Sequence, residues 1–229
     1  MKKIISLLAV TLLFVTSSFS QETNTGPGTS FGIRAGVNFQ NINGKDFDGD
    51  KLENDMLVGF NAGLNAEIPI APDFFFQPGI LFTTKGAQEK TVILGTTITS
   101  RIQLSYLELP LNLVYKPMLG NGHLILGFGP YVAYGIAGKA KIEGGDSSFE
   151  SDIDFKNETS ITDNNYVIRP LDAGANLFFG YEFANRLSFQ LNTQLGLINI
   201  QPDYSGVDIG DSKMNNTGFG VSLGYRFGG

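Results

Sequence analysis

The sequence predicts an all-β fold, an eight-stranded antiparallel up-and-down transmembrane β-barrel. Three observations carry that reading. Eight segments alternate apolar and polar residues with a period of two, their apolar parity is free of Asp, Glu, Lys and Arg, and the links between them alternate long and short.

The chain opens with a targeting pattern rather than a strand. Lys2 and Lys3 precede an apolar run over residues 4–15, and Ser18-Phe19-Ser20 forms a small-x-small site before Gln21. The expected organisation is a cleaved secretory signal peptide over 1–20, a short lead over 21–30 and one β-barrel over 31–229. The run is too short for a spanning helix, which needs about 18 apolar residues. Removing Lys2 and Lys3 from 16 basic residues leaves 14 against 22 acidic ones, a net charge of −8. So acidic an exported chain is a poor match for phosphate backbones, and no nucleic acid partner is expected. With no Cys among 229 residues, disulfides, thiol catalysis, Cys-ligated zinc and a lipoprotein anchor are excluded.

The first strand sets Phe31, Ile33, Ala35, Val37 and Phe39 against Gly32, Arg34, Gly36, Asn38 and Gln40. The second sets Val58, Phe60, Leu64 and Ile68 against Asn61, Asn65 and Glu67, and the third Phe74, Phe76, Ile80 and Phe82 against Gln77 and Thr83. In the fourth, over 101–115, the apolar parity runs Ile102, Leu104, Tyr106 and then Leu107, Leu109, Leu111, Leu113, so a β-bulge is expected near Tyr106. The fifth carries Leu124, Leu126, Phe128 and Val132. The sixth carries Leu171, Leu177, Phe179 and Tyr181 against Asp172, Asn176 and Glu182. The seventh alternates Leu187, Phe189, Leu191 with Ser188, Gln190, Asn192, and the eighth Phe219, Val221, Leu223, Tyr225 with Gly220, Ser222, Gly224, Arg226.

Eight such strands suit either a soluble barrel with its apolar face inside or a membrane barrel with that face outside. A water-facing parity would be rich in Lys and Glu. Here it is mostly Gly, Asn, Gln and Ser, the composition of a crowded small interior. Link lengths agree: 41–55, 86–100, 135–170 and 200–216 are long, whereas 69–73, 116–122 and 184–186 are short, as for outer loops and periplasmic turns. Phe31, Phe74, Tyr115, Tyr181, Phe183, Tyr225 and Phe227 then gather at the periplasmic rim as an aromatic girdle. Pro78, Pro110 and Pro130 fall inside strands, where bulges or strand ends are expected.

These segments resemble the PorT-like outer-membrane β-barrel proteins of Bacteroidetes, themselves similar in architecture to OmpX and the OmpA membrane domain. The resemblance spans 31–227. It rests on Gly32-Ile33-Arg34-Ala35-Gly36-Val37-Asn38-Phe39, Gln77-Pro78-Gly79 with Thr84-Lys85-Gly86, Tyr106-Leu107-Glu108-Leu109-Pro110-Leu111, Gly127-Phe128-Gly129-Pro130-Tyr131 and Leu223-Gly224-Tyr225-Arg226-Phe227. It implies location in the outer membrane of a Gram-negative cell, contact with outer-membrane lipid and lipopolysaccharide, and a closing aromatic read by the barrel-insertion machinery. Here Gly228 and Gly229 follow that aromatic. It also implies an envelope or secretion-assembly role, since PorT is linked to type IX secretion.

Candidate chemistry is sparse. His123 is the single histidine and sits beside a short turn, away from any Ser-acid pair, so no catalytic site is expected and the protein reads as a non-enzyme. Asp46-Phe47-Asp48-Gly49-Asp50 has the acidic spacing of a calcium loop, but Lys51 stands where glycine is needed and Leu57 where the bidentate acid belongs. No metal or cofactor is expected. The candidate site is instead a polar network inside the barrel, with Arg34, Glu67 and Arg226 together near the periplasmic end, Glu182 at similar depth and Glu108 above, neutralising one another. Outside, Glu143, Asp146, Glu150, Asp152, Asp154, Glu158 and Asp163 make the fifth-to-sixth link acidic, and Phe149, Ile153 and Phe155 alternate there as in a hairpin with an edge for a protein partner. The leading function is a non-enzymatic barrel whose loops bind a partner; the alternative is a small permeation or transport barrel for ions or small solutes.

Overall fold

The computed structural model describes residues 28–93, 95–160, 163, 165–206 and 210–228; the expected signal peptide and residues 21–27 of the lead lie outside these. Eight long strands make the body: β1 Ser30–Lys45, β2 Leu57–Ala71, β3 Phe74–Ile93, β4 Thr96–Tyr115, β5 Gly122–Gly144, β6 Leu171–Glu182, β7 Leu187–Gly196 and β8 Lys213–Phe227. Each pairs antiparallel with its neighbour in sequence, and β8 returns to β1 from Phe31↔Phe227 to Lys45↔Lys213, closing a ring of eight. Closure pairs the edges that an open sheet would leave exposed. Strand starts and ends alternate, so Ser30 and Phe227 share one end, called here the terminal end, and the long links lie at the other, the loop end.

Burial runs opposite to that of a water-soluble barrel. Leu64 (63% exposed), Leu177 (60%) and Leu223 (64%) point outward, whereas Asn38 (2%), Gln40 (4%) and Asn112 (2%) point inward. A continuous apolar exterior of this extent is what a hydrocarbon surrounding stabilises and water does not. At the terminal end Phe74 stacks on Tyr115 at 4.7 Å, Tyr181 meets Phe183 at 5.1 Å, Tyr225 meets Phe227 at 5.0 Å, and Phe31 pairs with Phe227.

Three local expectations need correction. The register does break at Tyr106, but the extra residue lies in the partner strand: Ser105 pairs with Ala137 and Tyr106 with Gly135, leaving Ile136 unpaired in β5. Ile136 and Ala137 both face outward, and β4 keeps a single parity, so Leu104 and Tyr106 point inward with Glu108. Secondly, the prolines make no bulge. Asn65↔Gly79 and Ile68↔Phe76 share one register across Pro78, and Pro110↔Tyr131 and Leu113↔Phe128 share one across Pro110. A proline removes a donor without adding a residue, so the ladder loses a bond and keeps its register; in β2 the shift falls at Pro69–Ala71. Thirdly, the links expected over 86–100 and 135–170 are largely strand. β3 and β4 stay paired to Ile93↔Thr96, and β5 runs on to Gly144 before turning back into Ser147–Phe155.

These extensions build an arm beyond the ring. Above Tyr134↔Leu171, β5 parts from β6, and Ser147–Phe155 takes the vacated edge from Lys139 to Gly144. The short strand Tyr166–Ile168 then pairs parallel with Ile153–Phe155. The inward face of the arm carries Ile153 and Ile168, which join Leu104, Tyr106, Tyr131, Ala133 and Ile200 in a buried apolar plug at the loop end. A smaller apolar layer of Val114, Ile125 and Phe178, backed by Phe75, lies nearer the terminal end.

Glycines make room for the inward aromatics. A Cβ on Gly127 would stand 2.1 Å from Phe178 Cζ, and one on Gly135 2.2 Å from Phe155 Cε1. Replacing Gly127 with Val therefore overpacks the interior and is expected to lower unfolding stability by about 1–3 kcal/mol. Urea titration in lipid vesicles, read by the mobility of unheated samples, checks this, and Phe178→Ala in the same chain should return part of the loss.

Candidate functional site

The interior charges fall into two groups rather than one network. At the terminal end Lys116 Nζ donates to Glu67 Oε2 at 3.0 Å and to Glu182 Oε2 at 2.8 Å. Arg226 Nε donates to Glu182 Oε2 at 3.0 Å, its Nη2 bonds Glu67, and its Nη1 reaches Ser30 Oγ at 3.3 Å. Gln77 Nε2 adds a bond to Glu67 at 3.1 Å. Two cations and two carboxylates thus close a neutral square. β1 supplies only the Ser30 hydroxyl to it.

The second group lies toward the loop end. Lys85, with no exposed surface, holds Glu108 Oε2 and Asp172 Oδ2, each at 3.0 Å. Its ammonium sits 4.1 Å from the Tyr131 ring centroid and 5.5 Å from that of Tyr106. Asn216 Nδ2 donates to Asp172 at 3.0 Å, and Gln194 Nε2 donates to both Glu108 oxygens at 2.9 Å. One ammonium between two carboxylates leaves a net negative charge. Arg34, which lines the same small cavity as Glu108, restores the balance.

The sequence-chosen residues are therefore separated. Glu67, Glu182 and Arg226 meet; Arg34 and Glu108 belong to the other group, on the far side of the apolar layer at Phe178. Sequence reading missed Lys85, Lys116 and Asp172. Each carried a usable signal: Lys85 continues the inward parity of Gln77 and Thr83, Asp172 heads the polar parity of β6, and Lys116 follows Asn112 and Val114 on β4. In the sequence Lys116 reads as a turn residue because it follows the last apolar position. Yet a lysine stem spans several ångströms, and its ammonium turns back into the interior.

Between the groups lies a polar waist around a cavity of about 30 Å³. Arg34 Nε and the amide oxygens of Asn38, Gln40, Asn61 and Asn112 line it, buried and without a hydrogen-bond partner in the protein. Buried polar groups are almost always satisfied, and a cavity of that size takes about two waters at 10–15 Å³ each. Two waters there would supply four O–H donors for the four amide oxygens and a lone pair for Arg34.

On the arm, outside the ring, the charges are exposed and laddered across strands. Arg101 Nη1 meets Glu143 Oε2 at 2.7 Å, Lys141 Nζ meets Glu143 Oε1 at 2.6 Å, and Lys139 pairs with Glu150. The Lys141 hydrogen bond, aided by Arg101, holds the Glu143 carboxyl below its ordinary range. In the β1–β2 loop, Asp46 Oδ1 accepts the backbone N–H groups of Asp48 at 3.0 Å and Asp50 at 2.9 Å, so this carboxylate closes a turn. His123 lies at the terminal end opposite Glu182 in the β5–β6 ladder. The outer edge of Ser147–Phe155 is covered by Tyr166–Ile168 only from Ile153 onward.

Comparison with known proteins places this architecture. A family model, the outer membrane protein beta-barrel domain, matches residues 19–201. Among solved structures, Ail, the attachment invasion locus protein of Yersinia pestis, crystallised with the heparin analogue sucrose octasulfate, is similar at 16% identity, covering 87% of this chain and 99% of that one, with a TM-score of 0.38. Neisserial surface protein A is similar at 12% identity over 87% of this chain and 99% of that one, with a TM-score of 0.43. The Pseudomonas putida toluene transporter TodX follows at 10% identity over 90% and 91%, with a TM-score of 0.22. No curated protein matches the sequence.

Two outcomes are expected from the interior. Lys116→Met leaves two buried carboxylates facing one arginine and should cost about 3–5 kcal/mol in the same vesicle assay, whereas Lys139→Met on the exposed arm should leave the midpoint where it was. In water-to-protein cross-relaxation NMR, the side-chain amides of Asn38, Asn61 and Asn112 should show long-lived water contacts; their absence would mean a dry waist.

Proposed function

The chain belongs to the outer membrane protein beta-barrel domain family, and from that premise we propose that it is a non-conducting, non-enzymatic eight-stranded transmembrane barrel that holds a recognition arm above the outer membrane. The single observation that carries this reading is the filled interior. From the terminal end inward come the Lys116 square, the apolar layer at Phe178, the small polar waist, the Lys85 group and the apolar plug. A ring of eight strands has room for little beyond its own side chains, and each of these layers blocks the next. A permeating ion would have to break two neutral charge groups and cross two apolar layers, each step costly in a low-dielectric interior.

With the ring closed to solutes, the structure left over for function is the loop end. The arm extends paired backbone well past the ring, and its strand Ser147–Phe155 keeps an edge free at its beginning, suited to accepting a strand from a protein partner. Acidic charge dominates there, and a place in an envelope or secretion assembly, as the PorT-like resemblance implies, fits such a surface. The apolar exterior supports contact with outer-membrane lipid and lipopolysaccharide, and family membership supports delivery through the barrel-insertion machinery.

Reconstituted in planar bilayers, the protein should show no conductance steps above the bare membrane. Regular steps would overturn the reading in favour of the permeation barrel. In cells, a thiol at Ser148→Cys, exposed on the arm, should react with a membrane-impermeant reagent from outside. Protection of that thiol in intact cells would invert the assigned topology.

A further inference from the structure

Above the apolar plug, the loops and the arm enclose a cleft of about 260 Å³. Its floor is apolar: Ile42 is 1% exposed and Val167 6%, with Ile102 and Met214 beside them. Its rim is aromatic, with Tyr166 on one side and Phe47 and Tyr204 meeting edge to face at 5.6 Å on another. Phe47 keeps 61% of its surface exposed, a large apolar ring held at an opening rather than folded into the core.

The walls are built, not merely adjacent. Asp55 and Gln88 exchange backbone hydrogen bonds of 2.7 and 3.2 Å, tying the β1–β2 loop to the arm. Asn54 Nδ2 donates to the Ile42 carbonyl at 2.8 Å, and the Ser212 hydroxyl lies within hydrogen-bond distance of the Lys45 carbonyl and of Gln201 Oε1. Arg169 pairs with Asp203 at 2.6 Å, fixing the segment that carries Tyr204. A preformed cleft spares a ligand the cost of ordering its own site.

Charge then selects the ligand. Asp46 and Glu89 line the cleft with Lys45 as the cation among its lining residues, and the loop beside it adds Asp48, Asp50, Glu53 and Asp55 against Lys51. A concave surface with apolar walls focuses such a field, and the faces of Phe47 and the two tyrosines attract a cation as the carboxylates do. A neutral ligand would gain only the floor. An anion would meet both the carboxylates and the electron-rich ring faces.

We propose that this outer cleft is a binding site for a small organic ammonium cation with an apolar body. The floor at Ile42 and Val167 takes the body; Glu89, Asp46 and the aromatic rim take the charge. The proposal deepens, and rests on, the assignment of the loop end as the recognition surface. It differs from strand addition at the arm edge in both place and chemistry.

Three probes of nearly equal shape test it on the folded chain in detergent micelles by saturation-transfer NMR: phenethylammonium, 2-phenylethanol and phenylacetate. Phenethylammonium should bind saturably and about tenfold more tightly than the alcohol, with no binding of the acid. Glu89→Gln should cut that preference about threefold or more and leave the alcohol unchanged. Ser100→Phe, placed opposite Glu89 in the β3–β4 ladder, should fill the cleft and remove binding of both, with folding confirmed by the mobility of unheated protein. The proposal is overturned by equal affinity for alcohol and cation, by cation binding that survives Ser100→Phe in the folded protein, or by no saturable binding of phenethylammonium. None of these outcomes would alter the conductance or surface-labelling results, so its failure is distinct from failure of the broader reading.

Discussion

A ring of eight strands encloses a space that its own side chains must fill, and every charge placed there has to be neutralised inside it. That constraint organises the rest of the molecule. Carboxylates from β2, β4 and β6 need cations that reach them, and these come as Lys85 from the loop half of β3, Lys116 from just beyond β4, Arg34 from β1 and Arg226 from β8. Apart from Lys85–Glu108, which joins the ladder neighbours β3 and β4, these pairs link strands that are not hydrogen-bonded to each other and so tie separate parts of the ring together. Lys116 and Arg226 each join β2 to β6, and Lys85 on β3 joins β4 to β6. The backbone ladder closes the ring around its circumference; the charges brace it across its diameter.

The same economy explains why the plug is apolar. Above the Lys85 group no charged side chain among the described residues is buried, and past the bulge at Ile136 in β5 the small, neutral Gly138 and Ala140 take over the inward parity from Tyr131 and Ala133. Space opened there is taken by Ile153, Phe155 and Ile168 from beyond the ring. The arm is thus no separate appendage: its inward face, through Ile153 and Ile168, is part of the interior. The loop end rests on a platform anchored by the same core that fills the ring.

How much of this was legible in the sequence differs by element. β1, β2, β7 and β8 were readable because each carries an uninterrupted period of two whose parity matches its burial. β4 was misread at its loop half. Ile102, Leu104 and Tyr106 are apolar, and apolar residues in a membrane barrel suggest lipid contact, yet they face inward against a plug completed by residues as distant in sequence as Ile153, Ile168 and Ile200. The extensions of β3, β4 and β5 past the ring were read as links, since alternation there follows the arm rather than the membrane. Among the interior charges on regular alternation, Arg34, Glu67, Glu108, Glu182 and Arg226 are legible in the sequence, whereas Asp172, equally regular in β6, reveals its role only through Lys85. Lys85 and Lys116 were missed because they lie where the apolar pattern stops, although their long stems carry the ammonium back inside.

Sequence by itself determined the all-β class, the antiparallel order of successive strands and which parity carries the apolar exterior, because a period of two and the high cost of charge in hydrocarbon are local properties of a strand. Tertiary structure alone decided which charges pair, where the bulge falls and what fills the mouth. Those outcomes depend on the stagger with which the ring closes and on side chains meeting across its diameter, distances that no periodicity along the chain encodes.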